Sequence, residues 1–126
     1  MASKYSMNDR PSWPRRAIVT AGEPYGNKGL HFGHVGGVFV PADFFARFLR
    51  DRLGRENVIF TSGTDCYGSP IMESYRKLKE NEGYDKSISE YVESNHSRQA
   101  APLNNYNISC DNYFGTGLEP AAQNHN

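Results

Sequence analysis

The chain has 126 residues, 37% of them apolar, with 14 Lys and Arg balanced by 14 Asp and Glu. This length allows one domain and excludes the several domains of a large enzyme. Zero net charge removes any global basic field for nucleic acid, and no stretch approaches the roughly 18 apolar residues that cross a bilayer, so no membrane partner is expected.

Met1 to Pro14 is polar and lacks the apolar run of a secretory signal, which reads as cytoplasmic. Residues 1–16, with Pro11, Pro14, Arg15 and Arg16, form an arm leading into one domain over residues 17–126. Ala17-Ile-Val-Thr-Ala21 is a β-branched run of the kind buried in parallel sheets. The next twelve residues, GEPYGNKGLHFG, hold four glycines and a proline and predict a shaped loop. Val35, Val38, Phe39, Ala42, Phe45, Ala46, Leu49 and Leu53 then recur at helical steps. They predict an amphipathic helix that starts near Gly33 and is distorted locally by Pro41. Phe44 and Phe48 add a second apolar stripe, predicting cover on more than one side.

Gly54 suits the end of that helix, and Asn57-Val-Ile-Phe-Thr61 is a second buried strand, completing a βαβ unit. Ser62 to Ser69 is then a loop at the carboxyl end of that strand. Ser69 and Pro70 cap and open a helix that ends near Gly83. Ser87-Ile-Ser-Glu90 is a capping box for another, with Ile88, Tyr91, Val92 and Asn95 on one face and Pro102 as its limit. Asn107-Ile-Ser-Cys110 is a candidate third strand. Of 24 Leu, Ile, Val and Phe residues, 16 lie between Ala17 and Phe60, so the second half is thin in core material and the core looks incomplete. Cys66 and Cys110 have no neighbour at metal-ligand spacing, so reduced thiols are expected and no metal site.

In an open parallel sheet, ligands bind where loops leave the carboxyl ends of the strands. The first such loop ends in His31-Phe-Gly-His34 at a helix entrance, where free N–H groups and the helix dipole suit phosphate oxygens. Gly33 would let a base or ribose approach the backbone. The bland reading is a pair of helix-capping histidines. The second loop carries Gly63-Thr-Asp65-Cys-Tyr-Gly68, in which Asp65 either holds a cationic group or caps its own turn. Tyr25 and Tyr67 either wall an apolar pocket or pack on loop edges. His96 falls on the polar side of its helix and reads as a surface histidine.

The order of these segments is more telling than any one of them. A strand leading to Pro24-Tyr-Gly-Asn27, then His31-Phe-Gly-His34, a helix with Pro41-Ala-Asp-Phe-Phe-Ala-Arg-Phe48, Gly63-Thr-Asp-x-x-Gly68-x-Pro-Ile71 and Asn107-Ile-Ser-Cys-Asp-Asn-Tyr113 resembles the start of a class I aminoacyl-tRNA synthetase. Within that class the methionyl-tRNA synthetases are most similar, over roughly Ala17 to Thr116.

The resemblance implies an α/β fold, the N-terminal half of a Rossmann-like catalytic domain with a parallel sheet and flanking helices. It implies ATP, with Mg2+, as the activating substrate and methionine as the amino acid. tRNA would be reached through domains outside this chain. His31, Phe32, Gly33 and His34 match the family's HIGH element, with His31 and His34 in the catalytic role. Asn27, His31, Gly33 and His34 would bind ATP. Ala21, Glu23, Tyr25 and Asp65 would bind the amino acid, Asp65 through its ammonium group.

The chain also departs from the family pattern. It has no Lys-Met-Ser-Lys-Ser-like segment, no zinc-bearing inserted domain and no helical anticodon-binding domain, and Glu23 stands where the family usually has an apolar residue. The expectation is therefore a portion of a longer synthetase, inactive alone. The alternatives are a small cytidylyltransferase-type enzyme, which also uses His-x-Gly-His, and a non-enzymatic nucleotide-binding relative.

Overall fold

A computed structural model describes residues 12–119 and 121. Most of the expected arm, residues 1–11, lies outside the described residues. The sheet has three strands in the order β1-β2-β3, all parallel: β1 (Ala17–Thr20), β2 (Val58–Thr64) and β3 (Asn112–Gly115). Between β1 and β2 the chain passes through a helical turn, α1 (Phe32–His34), a π-helical segment (Val35–Phe39), α2 (Val40–Leu53) and a 3-10 turn (Arg55–Asn57). Between β2 and β3 lie α3 (Ser69–Glu82) and α4 (Ile88–Asn105).

The expected helix with a local fault is thus present. The fault is a slip to the wider i→i+5 ladder over Val35–Phe39, directly before Pro41, whose ring nitrogen has no hydrogen to donate. Phe39, Ala46 and Leu49 point from this helix onto Val19, Val58 and Phe60, and Leu103 of α4 joins the same cluster. Strand alternation puts Ile18 and Ile59 on the opposite face, where they are 70% and 47% exposed. The runs expected to be buried are therefore covered on one face among the described residues.

Several expectations need correction. Phe44 and Phe48 are exposed, so the second stripe of α2 is not covered among the described residues, and Phe45 of the first stripe is exposed as well; Phe48 meets Trp13 at 5.9 Å between ring centroids and lies beneath Arg52. β2 runs on through Ser62, Gly63 and Thr64, because these pair with Tyr113, Phe114 and Gly115. β3 is Asn112–Gly115 and not Asn107–Cys110. The expected strand segment instead docks on α2: the Ser109 amide and hydroxyl donate to Asp43, and Arg50 donates to Ser109 and Asp111. Burial pushes the Asp43 carboxyl up, but the Ser109 donors and Arg47 outweigh it and hold it below its ordinary value.

α3 begins on Gly68, which makes no side-chain cap, with Ser69 already helical, and ends on left-handed Gly83 as expected. The Ser87–Glu90 capping box forms at α4. Pro102 does not end that helix. It lies one turn from the end, and the chain turns away only at Asn107, whose φ is 53°. Cys66 and Cys110 are free and half-buried. Among the described residues no helix is long and apolar enough to cross a membrane.

Candidate active site

β1 and β2 end side by side, and their loops stay paired beyond the strands. Asp65 donates its N–H to the Pro24 carbonyl and Gly26 donates to the Asp65 carbonyl, both at 2.8 Å, which makes Tyr25 and Asp65 an isolated parallel bridge. Gly26 is needed there because a Cβ would lie 3.1 Å from Thr64 Cγ2 and 3.2 Å from Val92 Cγ1. The two candidate loops thus form one surface at the carboxyl edge of the sheet.

His31 is the N-cap of the helix that opens at Phe32. Its Nδ1 accepts from the Gly33 amide at 3.0 Å, while the His31 amide donates to His34 Nδ1 at 3.3 Å. This is a capping box built from two histidines. Both Nδ1 atoms are acceptors, so each neutral ring carries its proton on Nε2 and offers it away from the backbone. The rings stack with centroids 3.8 Å apart. Burial first, and then the nearby His31 and Lys28 side chains, lower the His34 pKa below its ordinary value. Gly33 also has a reason within the chain. A Cβ there would stand 2.8 Å from His31 Cε1, so glycine makes room for the capping imidazole. Phe32 is 86% exposed, and a recess of about 310 Å³ beside it is lined by Leu30, His31, Val35, Pro102 and Tyr106.

The other expected residues fall as follows. Ala21 is buried at the end of β1, and its carbonyl accepts from the Ser62 hydroxyl. Glu23 is exposed, and among the described residues it makes no ion pair, with Lys28 or any arginine. Tyr25 lies over the second loop, with Cε1 3.3 Å from where a Gly68 Cβ would stand. The Asn27 side chain donates to Ser74 on α3. Asp65 does cap its own turn, Oδ1 accepting from the Tyr67 amide at 3.0 Å, while Oδ2 accepts nothing among the described residues.

His96 is half-buried and engaged with the sheet, not free on the surface as expected. Its Nδ1 is 2.8 Å from Thr64 Oγ1, and its ring lies flat on Tyr113 with centroids 5.3 Å apart. Burial lowers its pKa, against the opposing charge of Glu93. The sequence reading also passed over Thr64, Gln99 and Tyr113, whose polar atoms meet at 3.0–3.2 Å behind the loops. The available signal was Tyr91, Asn95 and Gln99 at four-residue steps: polar groups on the apolar face of a helix must find partners.

Comparison with known proteins agrees with this geometry. Residues 17–125 match the family model for class I tRNA synthetases (M). The methionine–tRNA ligase of Thermococcus onnurineus is 44% identical over 100 residues, covering 79% of this chain and 12% of the relative. That of Rubrobacter xylanophilus is 38% identical over 109 residues, covering 86% of this chain and 18% of the relative. A solved Mycobacterium tuberculosis methionyl-tRNA synthetase, in complex with methionyl-adenylate, matches with a TM-score of 0.66 at 25% identity, over 82% of this chain and 18% of that one. The family model and the fold place the chain among the class I tRNA synthetases, as a portion of their catalytic domain. Within that class, the chain belongs to the methionine-type family, and it spans 12–18% of the length of these relatives. The cytidylyltransferase reading is set aside.

Proposed function

We propose that this chain is the N-terminal, phosphate-binding portion of a methionine–tRNA ligase catalytic domain, working in the ATP-dependent activation of methionine. The observation that carries this reading is the reciprocal capping of His31 and His34, which leaves two Nε2–H donors beside Lys28.

In such an activation a carboxylate oxygen of the amino acid bonds to the α-phosphorus of ATP. The bond from that phosphorus to the bridging oxygen breaks, and pyrophosphate leaves with the electron pair. The protein's task is to align the two substrates and stabilise charge on the phosphate oxygens. The imidazole Nε2–H groups do this by directed hydrogen bonds, and the Lys28 ammonium adds attraction. The recess lined by Leu30, Phe32 and Tyr106 offers apolar surface for a base next to the phosphates. One N–H of the Asn27 amide goes to Ser74, which leaves its second N–H and its carbonyl oxygen for ATP. Mg2+ would arrive on the ATP phosphates; among the described residues no cluster of three or more His, Cys, Asp or Glu side chains could hold a metal.

Asp65 has one oxygen spent on its turn and one open, which suits an ammonium group. Tyr25 is bridged to Asp65, Ala21 is buried at the end of β1, and the exposed Glu23 holds Oε1 3.3 Å from where a Gly63 Cβ would stand. tRNA would be bound through regions beyond this chain, so the chain alone is expected not to charge tRNA.

Calorimetric titration of the chain with ATP tests the reading. His34→Ala should weaken binding about tenfold or more, the size of one hydrogen bond to a charged group. Equal affinity in the variant would mean that the histidines cap the helix and nothing else.

A further inference from the structure

Four successive backbone carbonyls before the histidines are each taken by a side chain of α4. Gln99 Nε2 donates to the carbonyls of Tyr25 and Lys28, both at 2.8 Å; Asn95 Nδ2 donates to Gly26 at 3.2 Å; and the Tyr91 hydroxyl donates to Asn27 at 2.7 Å. Positions 91, 95 and 99 are one turn apart, so they form a single row along the helix. The Tyr25–Asp65 bridge uses the Pro24 carbonyl and the Gly26 amide but none of these four carbonyls, which would otherwise be left without partners.

Gln99 is the junction of this row. It is 1% exposed, and a bare amide at that depth is costly unless every polar atom is paired. Its Nε2 holds both ends of the 25–28 segment, while its Oε1 accepts from Thr64 of β2 at 3.0 Å and Tyr113 of β3 at 3.2 Å. One side chain therefore ties the loop to two strands. His31 follows Lys28 by three residues, so the path of the loop fixes where the capping box forms.

We infer that Gln99, aided by Asn95 and Tyr91, is a positioning residue for the His31–His34 pair, an inference that rests on the phosphate-binding reading of that pair. α4 acts as a strut whose polar row sets the loop against the sheet and thereby aims both Nε2–H groups. The amides are not there to fill space, since a methionine would fill the Gln99 site with nearly the same volume.

The test uses the 126-residue chain with inorganic tripolyphosphate as the probe. Affinity is read by calorimetry and the capped state of each Nδ1 by long-range proton–nitrogen spectra of the imidazoles. Gln99→Met should weaken tripolyphosphate about tenfold and shift both Nδ1 signals away from their capped positions. Leu49→Ala, which opens the core between α2 and the sheet, should lower stability while changing neither readout. Wild-type affinity and spectra in Gln99→Met overturn the inference, as do equal losses in Leu49→Ala. A wild-type chain that binds no tripolyphosphate contradicts the phosphate reading, and the imidazole spectra of Gln99→Met then decide the positioning role by themselves. Should Gln99→Met fail to fold, Tyr91→Phe removes just the hydroxyl on Asn27 and should weaken binding about two- to threefold; unchanged affinity there overturns the inference.

Discussion

The imidazoles of His31 and His34 lie face to face, 3.8 Å apart with 26° between their planes, and each spends its Nδ1 on a backbone N–H. Capping uses the Nδ1 edge of each ring, and the proposed phosphate binding would use the opposite, Nε2 edge. Asparagine caps well but has no donor where Nε2 stands. His31→Asn should keep stability to within about 0.5 kcal/mol, whereas His31→Ala should lose about 1 kcal/mol. Both should lose ATP affinity. Urea unfolding set beside ATP titration separates the two duties, and a His31→Asn variant with full ATP affinity would remove His31 from the site.

Gly63 and Gly36 offer a contrast in one residue type. A Cβ on Gly63 would fall 2.1 Å from the Phe114 carbonyl oxygen, inside the β2–β3 pairing, whereas one on Gly36 would meet nothing within 4 Å. Gly63→Ala should force the strands apart and cost about 3 kcal/mol or more. Gly36→Ala should be neutral or stabilise by up to about 1 kcal/mol, from helix propensity. Denaturant midpoints compare them directly.

The pH response should centre on His96. Its pKa in the folded chain lies below the ordinary 6.5, chiefly because it is buried. The unfolded chain takes up a proton below about pH 6.5 that the folded chain resists, so this contribution is complete above that pH and is lost as pH falls through the folded value. His34 shifts in the same direction. Urea midpoints should drop between pH 7 and pH 5. His96→Asn, which can keep an amide donor near Thr64, should flatten that slope, and an unchanged slope would assign the effect to His34 or another group.

Much of this was legible in the sequence where one residue type forces one local outcome. Pro41 marked the helix fault, Gly83 the end of α3 and Ser87 with Glu90 the start of α4. The ordered motifs around His31 and Asp65 marked the loops that the Tyr25–Asp65 bridge joins. What was not legible depends on neighbours distant in the chain. β2 outruns its apolar residues because β3 pairs with Ser62, Gly63 and Thr64, and β3 itself is Asn-Tyr-Phe-Gly, a poor strand by composition. His96 read as a surface residue because its partners, Thr64 and Tyr113, come from two strands. Pro102 read as a helix end because the sequence does not reveal that α4 continues for another turn.

Methionine-dependent exchange of pyrophosphate into ATP tests the proposed roles of His31, His34 and Asp65 most directly. It would use residues 17–116 in place of the matching segment of a complete methionine–tRNA ligase such as that of Thermococcus onnurineus. On the proposed reading, exchange requires methionine and falls by about 10² to 10³ in His31→Ala or His34→Ala. Asp65→Asn, which keeps the turn cap and loses the charge, should raise the methionine requirement while sparing ATP. Exchange unchanged in both histidine variants, or equally well supported by a cationic amino acid, would contradict it.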